Sequence, residues 1–352
     1  MMGPDRVAAI ADRLLMRGYI ASISGRKVSR NTLLRNTRRF NMDETDLRIC
    51  ALLNANSRTP FRDLAETLGI SVQAVHKRVK ALTDTGVLRA FTANLSFKFL
   101  NAVPAGISGR TNGSSVDDVA RGLGKDDSSA IVHVSGDFLS VMAVLRSIGD
   151  LDRYVEFIRT DAQMESPSVF LPSAMGFANL ERQNPPREEF ELTQLDYRII
   201  LSLHRDSRKE LVDVAKDVGF STKTVKRRLT RMIGAGAIDF GTEFDLGAQN
   251  GVSSLMVVDV KPGTDRGRFL GQVKDRFGPR VIFMGAYGNV PGGLFVFIWS
   301  ATMKEFRETE AFFREDPAVA SFKGHLIQNK YQFRTWREGL LEEKAAGASG
   351  KM

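Results

Sequence analysis

The chain has 352 residues, 43% of them hydrophobic, with 50 Lys and Arg against 41 Asp and Glu and a formal net charge of +9. That length and apolar content suit two domains or more with cores of their own and exclude a disordered chain. A single cysteine, Cys50, excludes an internal disulfide framework and a cysteine-based zinc site. No run approaches the roughly 18 apolar residues of a membrane span, so a cytoplasmic protein with no membrane partner is expected.

Residues 1–41 form a basic extension in which nine Lys and Arg, from Arg6 to Arg39, face only Asp5 and Asp12. Asp12 and Arg13 break the apolar stretch that a signal peptide would need. The segment reads as a DNA-tracking arm, a docking helix or a disordered lead-in. A start codon placed too early is a further reading, because Met42 opens the recognisable domain.

From Asp43 the chain repeats itself. Residues 43–88 align without a gap to 193–238 at a constant offset, matching Asp46/Asp196, Arg58/Arg208, Ala65/Ala215, Gly69/Gly219, Ser71/Ser221 and Arg78/Arg228 among others. Each copy predicts three short helices. The first opens on a cap, Asp43 or Thr193, with an acid three residues on. The second has apolar residues at helical spacing, Phe61, Leu64, Ala65 and Leu68, then Leu211, Val214, Ala215 and Val218. Thr59 and Pro60 are expected to begin it in the first copy. Gly69 or Gly219 then ends the helix in the left-handed conformation, Ile70 or Phe220 plugs the core, and Ser71 or Ser221 caps the third helix. So short a turn forces a steep crossing, the helix-turn-helix arrangement.

The third helix buries Val75, Val79 and Leu82 in one copy and Val225, Leu229 and Met232 in the other. Its outer face is cationic, as suits entry into a major groove of double-stranded DNA. The candidate contacts are Ser71, Gln73, His76, Lys77, Arg78 and Lys80, then Ser221, Lys223, Lys226, Arg227, Arg228 and Arg231. Gln73 suits a bidentate contact to adenine and His76 a bond to a base edge. Arg78 and Arg228 lie close to the buried stripe, where they either clamp phosphate or brace the domain against a carboxylate. The runs that follow, FTANLSF and FGTEFDL, are expected to be the paired strands of a wing.

Residues 102–172 and 251–328 each predict the order βαββαβ, an antiparallel sheet with helices on one face, so the fold class is α+β with two winged helix-turn-helix domains alternating with two ferredoxin-like domains. Val132, Val134, Val141, Ala143 and Leu145, and Ile282, Met284, Phe295, Phe297 and Trp299, are expected to pair the sheets face to face. The limits expected are 42–97 and 192–247 for the heads, 98–175 and 248–335 for the ferredoxin-like domains, 176–191 for a linker and 336–352 for a mobile tail.

A helix-turn-helix of this pattern followed by a βαββαβ domain with a Gly-Asp turn between its middle strands resembles the leucine-responsive/asparagine-operon regulator (Lrp/AsnC) family, here twice in one chain. The resemblance implies a DNA-binding transcription regulator that is not an enzyme and needs no cofactor. It implies dimerisation through the βαββαβ domain and an amino-acid-like effector near the turn, at Gly136 and Asp137 in copy one. In copy two Gly288 is followed by Asn289 and an insertion, which removes the acid. Fusion makes an intramolecular pseudo-dimer the counterpart of the homodimer, with domain exchange between chains left open. Two other readings stand beside this one. The fold is also similar to that of sirohaem decarboxylases, but His76 and His204 lie on helices of the heads, and His133 and His325 read as structural. A protein-interaction module without DNA binding is the blander one. The segment GLGKDD at 122–127 fails as a phosphate loop, and neither HExxH nor a cysteine cluster supports a metal.

Overall fold

The computed structural model describes residues 42–171, 190–248 and 251–347; the basic extension and most of the expected linker lie outside the described residues. The first head comprises α1 (Glu44–Ala55), α2 (Phe61–Leu68) and α3 (Val72–Asp84), the second α6 (Gln194–Leu203), α7 (Leu211–Val218) and α8 (Thr222–Gly234). Asp43 with Asp46 and Thr193 with Asp196 form reciprocal capping boxes, which satisfy amide donors that a helix start leaves free. Gly69 and Gly219 sit at φ +65° and +74°. There the chain reverses, and Ile70 and Phe220 donate their N–H groups back to Ala65 and Ala215. Two details differ from expectation. Pro60 occupies the cap position of α2 without a side-chain bond, while the Thr59 hydroxyl donates backward to Asn56. Phe220 is 47% exposed rather than plugging the core, which is filled by Ile199, Val214, Val218, Val225 and Met232.

Among the described residues neither run folds back into a hairpin of its own. Each of the two runs is a single strand, β1 (Leu88–Leu95) and β6 (Ile238–Phe244), and the two pair antiparallel with each other. Residues that a local hairpin would have bonded within one head instead tie the heads together. A strand with an open edge finds a partner of like length and hydrophobicity at the same point of the other copy.

The ferredoxin-like expectation holds in both halves. The first contains β2 (Val103–Arg110), α4 (Val116–Gly122), β3 (Ser129–Ser135), β4 (Phe138–Leu145), α5 (Leu151–Asp161) and β5 (Ser168–Phe170). The second contains β7 (Val252–Val260), α9 (Arg266–Phe277), β8 (Val281–Ala286), β9 (Gly293–Ser300), α10 (Met303–Glu315) and β10 (Val319–Leu326). The sheet orders are β3-β4-β2-β5 and β10-β7-β9-β8, antiparallel throughout.

Helices cover one face of each sheet. Val132, Val134, Val141, Ala143 and Leu145 point to that side, where they meet Tyr154 and Ile158, so they belong to the helix-covered core and not to the face between sheets. Met284 does the same in the second half. The face turned to the other sheet carries Phe295, Phe297 and Ile282 from the second half, as expected, together with Phe283, but His133 and Ser140 from the first.

The end of the chain crosses back. Strand β11 (Asn329–Gln332) extends the first sheet beside β3, and α11 (Trp336–Ala346) lies against α6. The Trp336 indole donates to the Val144 carbonyl at 2.7 Å and Arg337 to that of Leu95 at 3.0 Å, while Leu341 joins the core of the second head. Residues 336–346 are therefore a packed helix and not the mobile tail expected: the apolar face of α11 finds its partner in a head distant in sequence. No helix among the described residues is long and apolar enough to cross a membrane.

Candidate nucleic-acid interface

Both third helices present one face outward because the opposite stripe is locked inside. Val75 and Leu82, and Val225 and Met232, are 0% exposed. The Ser71 and Ser221 hydroxyls cap α3 and α8 by accepting from Ala74 N–H at 3.1 Å and Thr224 N–H at 3.2 Å. Gln73, His76, Lys77 and Lys80, and Lys223, Lys226, Arg227 and Arg231, are all exposed.

The two faces are unlike. In α3 the His76 ring is set edge-on to Phe61 with centroids 4.5 Å apart, and Lys80 is paired with Asp84 at 2.7 Å. In α8 there is no acidic residue, and Arg231 lies 5.5 Å over the ring of Phe190. The second face thus concentrates positive charge that the first partly cancels within its own helix.

Of the two roles open to Arg78 and Arg228, the structure gives the brace. Arg78 donates to Asp43 at 2.8 Å and to Asp46 at 2.9 Å, and Arg228 to Asp196 at 3.3 Å. Asp46 and Asp196 are 1% and 0% exposed. Burial pushes the Asp46 carboxyl above the usual carboxylate value, against the pull of its hydrogen bonds. These arginines hold the third helix to the first, and a groove contact would have to break that tie, because a carboxylate left buried without its partner is costly.

A second matched arginine pair, to which the sequence reading gave no role, lies where the copies meet. The Ser57 and Ser207 hydroxyls touch at 2.5 Å. Arg208 donates to the carbonyls of Ser57 at 2.6 Å and Thr59 at 2.9 Å, and Arg58 donates to those of Ser207 and Lys209. Equivalent residues trade equivalent bonds, as at a two-fold axis. The identity of Ser57 and Ser207, and of Arg58 and Arg208, at the constant offset was the available signal.

The two turns expected to hold an effector bond to other parts of the protein. Gly136 adopts φ +59° and its N–H donates to Gln328, while the Asp137 carboxylate is half exposed and accepts twice from Arg110. The Asn289 amide is spent on the main chain of β5 and its neighbour, accepting from Leu171 N–H at 2.8 Å and donating to the Val169 carbonyl at 2.9 Å; Gly288 N–H donates to the Leu171 carbonyl. That amide joins the two halves through one accepted and one donated bond. None of the four lines the cavity between the sheets. Among the described residues no three His, Cys, Asp or Glu gather as metal ligands, and burial pushes the Cys50 thiol up to about 12.

Comparison with known proteins bears on this geometry. The AsnC-type helix-turn-helix domain matches residues 42–83 and 192–233. An uncharacterized HTH-type transcriptional regulator of Pyrococcus horikoshii is 30% identical over 118 residues, 33% of this chain and 80% of that protein. The HTH-type transcriptional regulator LrpA of the same organism is 34% identical over 105 residues, 30% of this chain and 74% of its own length. Among solved structures, the siroheme decarboxylase NirDL superposes over 88% of this chain and 100% of its own with a TM-score of 0.56 at 14% identity, a likeness of fold.

Proposed function

We propose that this chain, which belongs to the Lrp/AsnC family of transcriptional regulators and carries the family's unit twice, binds double-stranded DNA as one pseudo-symmetric unit with two unlike reading heads. Helices α3 and α8 enter successive grooves. Lys77, Lys223, Lys226, Arg227 and Arg231 supply the phosphate and base contacts, with Gln73, His76 and Lys80 beside them. The observation that carries this reading is the exposed outer face of α8, with four cations and no acid, set on a left-handed glycine turn. A solvated helix ordinarily mixes both signs. The domain limits read from the sequence remain part of this proposal, with α11 assigned to the second head.

The pairing of β1 with β6 and the exchange between the Ser57–Arg58 and Ser207–Arg208 loops favour association of the halves within one chain. Covalent linkage makes that contact unimolecular, so dilution does not oppose it. A small-molecule response belongs to the proposal as well. The likeness to a siroheme decarboxylase extends to fold alone. Neither Lys nor Arg lines the cavity between the sheets to receive the carboxylates of a tetrapyrrole.

The test is recovery of DNA bound to the native full-length protein, followed by nuclease protection of the recovered segment. Wild type should protect it. A variant with Lys77, Lys80, Lys226, Arg227 and Arg231 changed to Ala, shown by circular dichroism to keep its helices, should not. Undiminished protection by that variant overturns the reading. For the pairing, the mass in solution should never fall below one compact chain on dilution, whereas exchange between chains would appear as a dimer that dissociates with loss of β1–β6 protection from hydrogen exchange.

A further inference from the structure

Helices α3 and α8 are presented alike but carry different chemistry. Each follows a left-handed glycine and a serine cap and runs for 13 residues. From Ser71 to Lys80 and from Ser221 to Thr230 the buried, half-buried and exposed positions coincide one for one. A difference in what the two faces recognise therefore comes from the side chains and not from their placement. Four exposed positions differ: Val72, Gln73, His76 and Lys77 stand where α8 has Thr222, Lys223, Lys226 and Arg227. On α3, Val72 is 40% exposed, the Gln73 amide both donates and accepts, and the His76 ring is held edge-on to Phe61. On α8, Lys223, Lys226 and Arg227 can only donate.

We propose, resting on the DNA reading above, that the duplex this chain selects is non-palindromic, with a guanine-rich half-site under α8 and a half-site of A·T pairs under α3. Side chains that only donate are matched by acceptors, and in the major groove guanine presents two, O6 and N7, with no donor. The forked guanidinium of Arg227 suits both at once. Adenine pairs an acceptor with a donor, which the Gln73 amide matches, and thymine alone presents a methyl group, the natural contact of an exposed valine. His76 fits N7 of either purine. Were the two faces alike, the two-fold relation of the heads would call for a palindrome. The β1–β6 pairing and the exchange between Arg58 and Arg208 hold the heads in one unit, so both halves are read together at a set spacing. Unequal half-sites also have a direction. Turned end for end, the protein would mismatch both halves, so it sits on its DNA in one orientation, with the same head always on the same flank.

The test is selection by the full-length protein from a pool of duplexes randomised over about 30 base pairs, room for two half-sites a helical turn apart. Wild type should enrich one guanine-rich half-site and one of A·T pairs at a fixed separation. A variant with Val72→Thr, Gln73→Lys, His76→Lys and Lys77→Arg, which gives α3 the outer residues of α8, should enrich a guanine-rich palindrome. Should that variant fail to fold, the reverse graft on α8, Thr222→Val, Lys223→Gln, Lys226→His and Arg227→Lys, should enrich a palindrome of A·T pairs. In anisotropy competition, replacing a contacted guanine by adenine should weaken wild type about five- to hundredfold, and Arg227→Ala should erase that preference at one position. A palindrome selected by wild type, retention of duplexes without any enriched motif, or a motif that the folded graft leaves unchanged would each overturn the proposal while DNA binding itself stands. Failure to retain any duplex would remove the DNA reading, and this proposal with it.

Discussion

Neutralising the outer face of α8 should flatten the salt dependence of DNA binding more than neutralising that of α3. Lys226, Arg227 and Arg231 are exposed on a helix without acids, whereas Lys80 is already paired with Asp84 at 2.7 Å, leaving Lys77 as the more available cation of the first face. Each phosphate contact contributes about 0.9 to the slope of log affinity against log salt, so the triple Ala variant of α8 should lose about 2.7 and the Lys77/Lys80 double variant between about 0.9 and 1.8. Across 50 to 200 mM salt, wild-type affinity should then fall about 40-fold further than that of the α8 variant. Fluorescence anisotropy of a labelled duplex at four salt concentrations measures it. The heads share the β1–β6 sheet, so head-specific variants of the full chain replace isolated halves. Equal slopes for the two variants, or an α8 variant with the wild-type slope, would refute the reasoning.

Acid should weaken the fold through His133. Its folded pKa of about 3 lies below the ordinary value of 6.5, so its contribution is complete above pH 6.5 and is lost as pH falls towards 3. At about 1.4 kcal/mol per pH unit the loss reaches about 2 kcal/mol by pH 5, and urea midpoints should show it in wild type but not in His133→Leu. Arg228→Met should destabilise the second head by about 1 to 3 kcal/mol in a thermal melt, below the full cost of an orphaned buried charge, because Asp196 keeps its bonds to Thr193. Leu341→Ala should cost about 2 to 4 kcal/mol and speed hydrogen exchange in α6, whereas a tail without packing would register neither. Gly219→Ala should cost about 1 kcal/mol, since no atom lies within 4 Å of the added methyl and only the backbone at φ +74° resists it; Gly219→Asn should cost less.

What the sequence made legible was whatever a single helix or a single strand decides. The caps Asp43, Thr193, Ser71 and Ser221, the turns at Gly69 and Gly219 and the two βαββαβ orders depend on neighbours a few residues away, and each was readable from them. Contacts between distant segments were not. The strands expected to form wings have the alternation of any half-buried strand, and nothing local says that β1 must find β6. Alternation gives the two faces of a strand without saying which one the helices take: Val132 and Val134 were assigned to the face between sheets, while His133, one residue off in parity, occupies it. Arg78 and Arg228 show the same limit from the charge side. Their spacing places them beside the buried stripe, but only the fold brings Asp46 and Asp196 within reach.

Joining two copies in one chain changes what divergence is allowed. In a symmetric dimer of identical chains every substitution appears twice, so a change that improves one head necessarily alters the other. Here the residues on the axis are alike: Ser57 with Ser207 and Arg58 with Arg208 bond reciprocally, and a change in one would strand its partner. Residues away from it differ: α8 has no acid where α3 has Asp84, the turn after β8 is a clasp on β5, and the inner face of the second sheet carries Phe283, Phe295 and Phe297 where the first has Ser108, Ser140 and His133. The closing strand β11 and α11 then use that asymmetry, for they cross from the second half onto the first sheet and brace the second head.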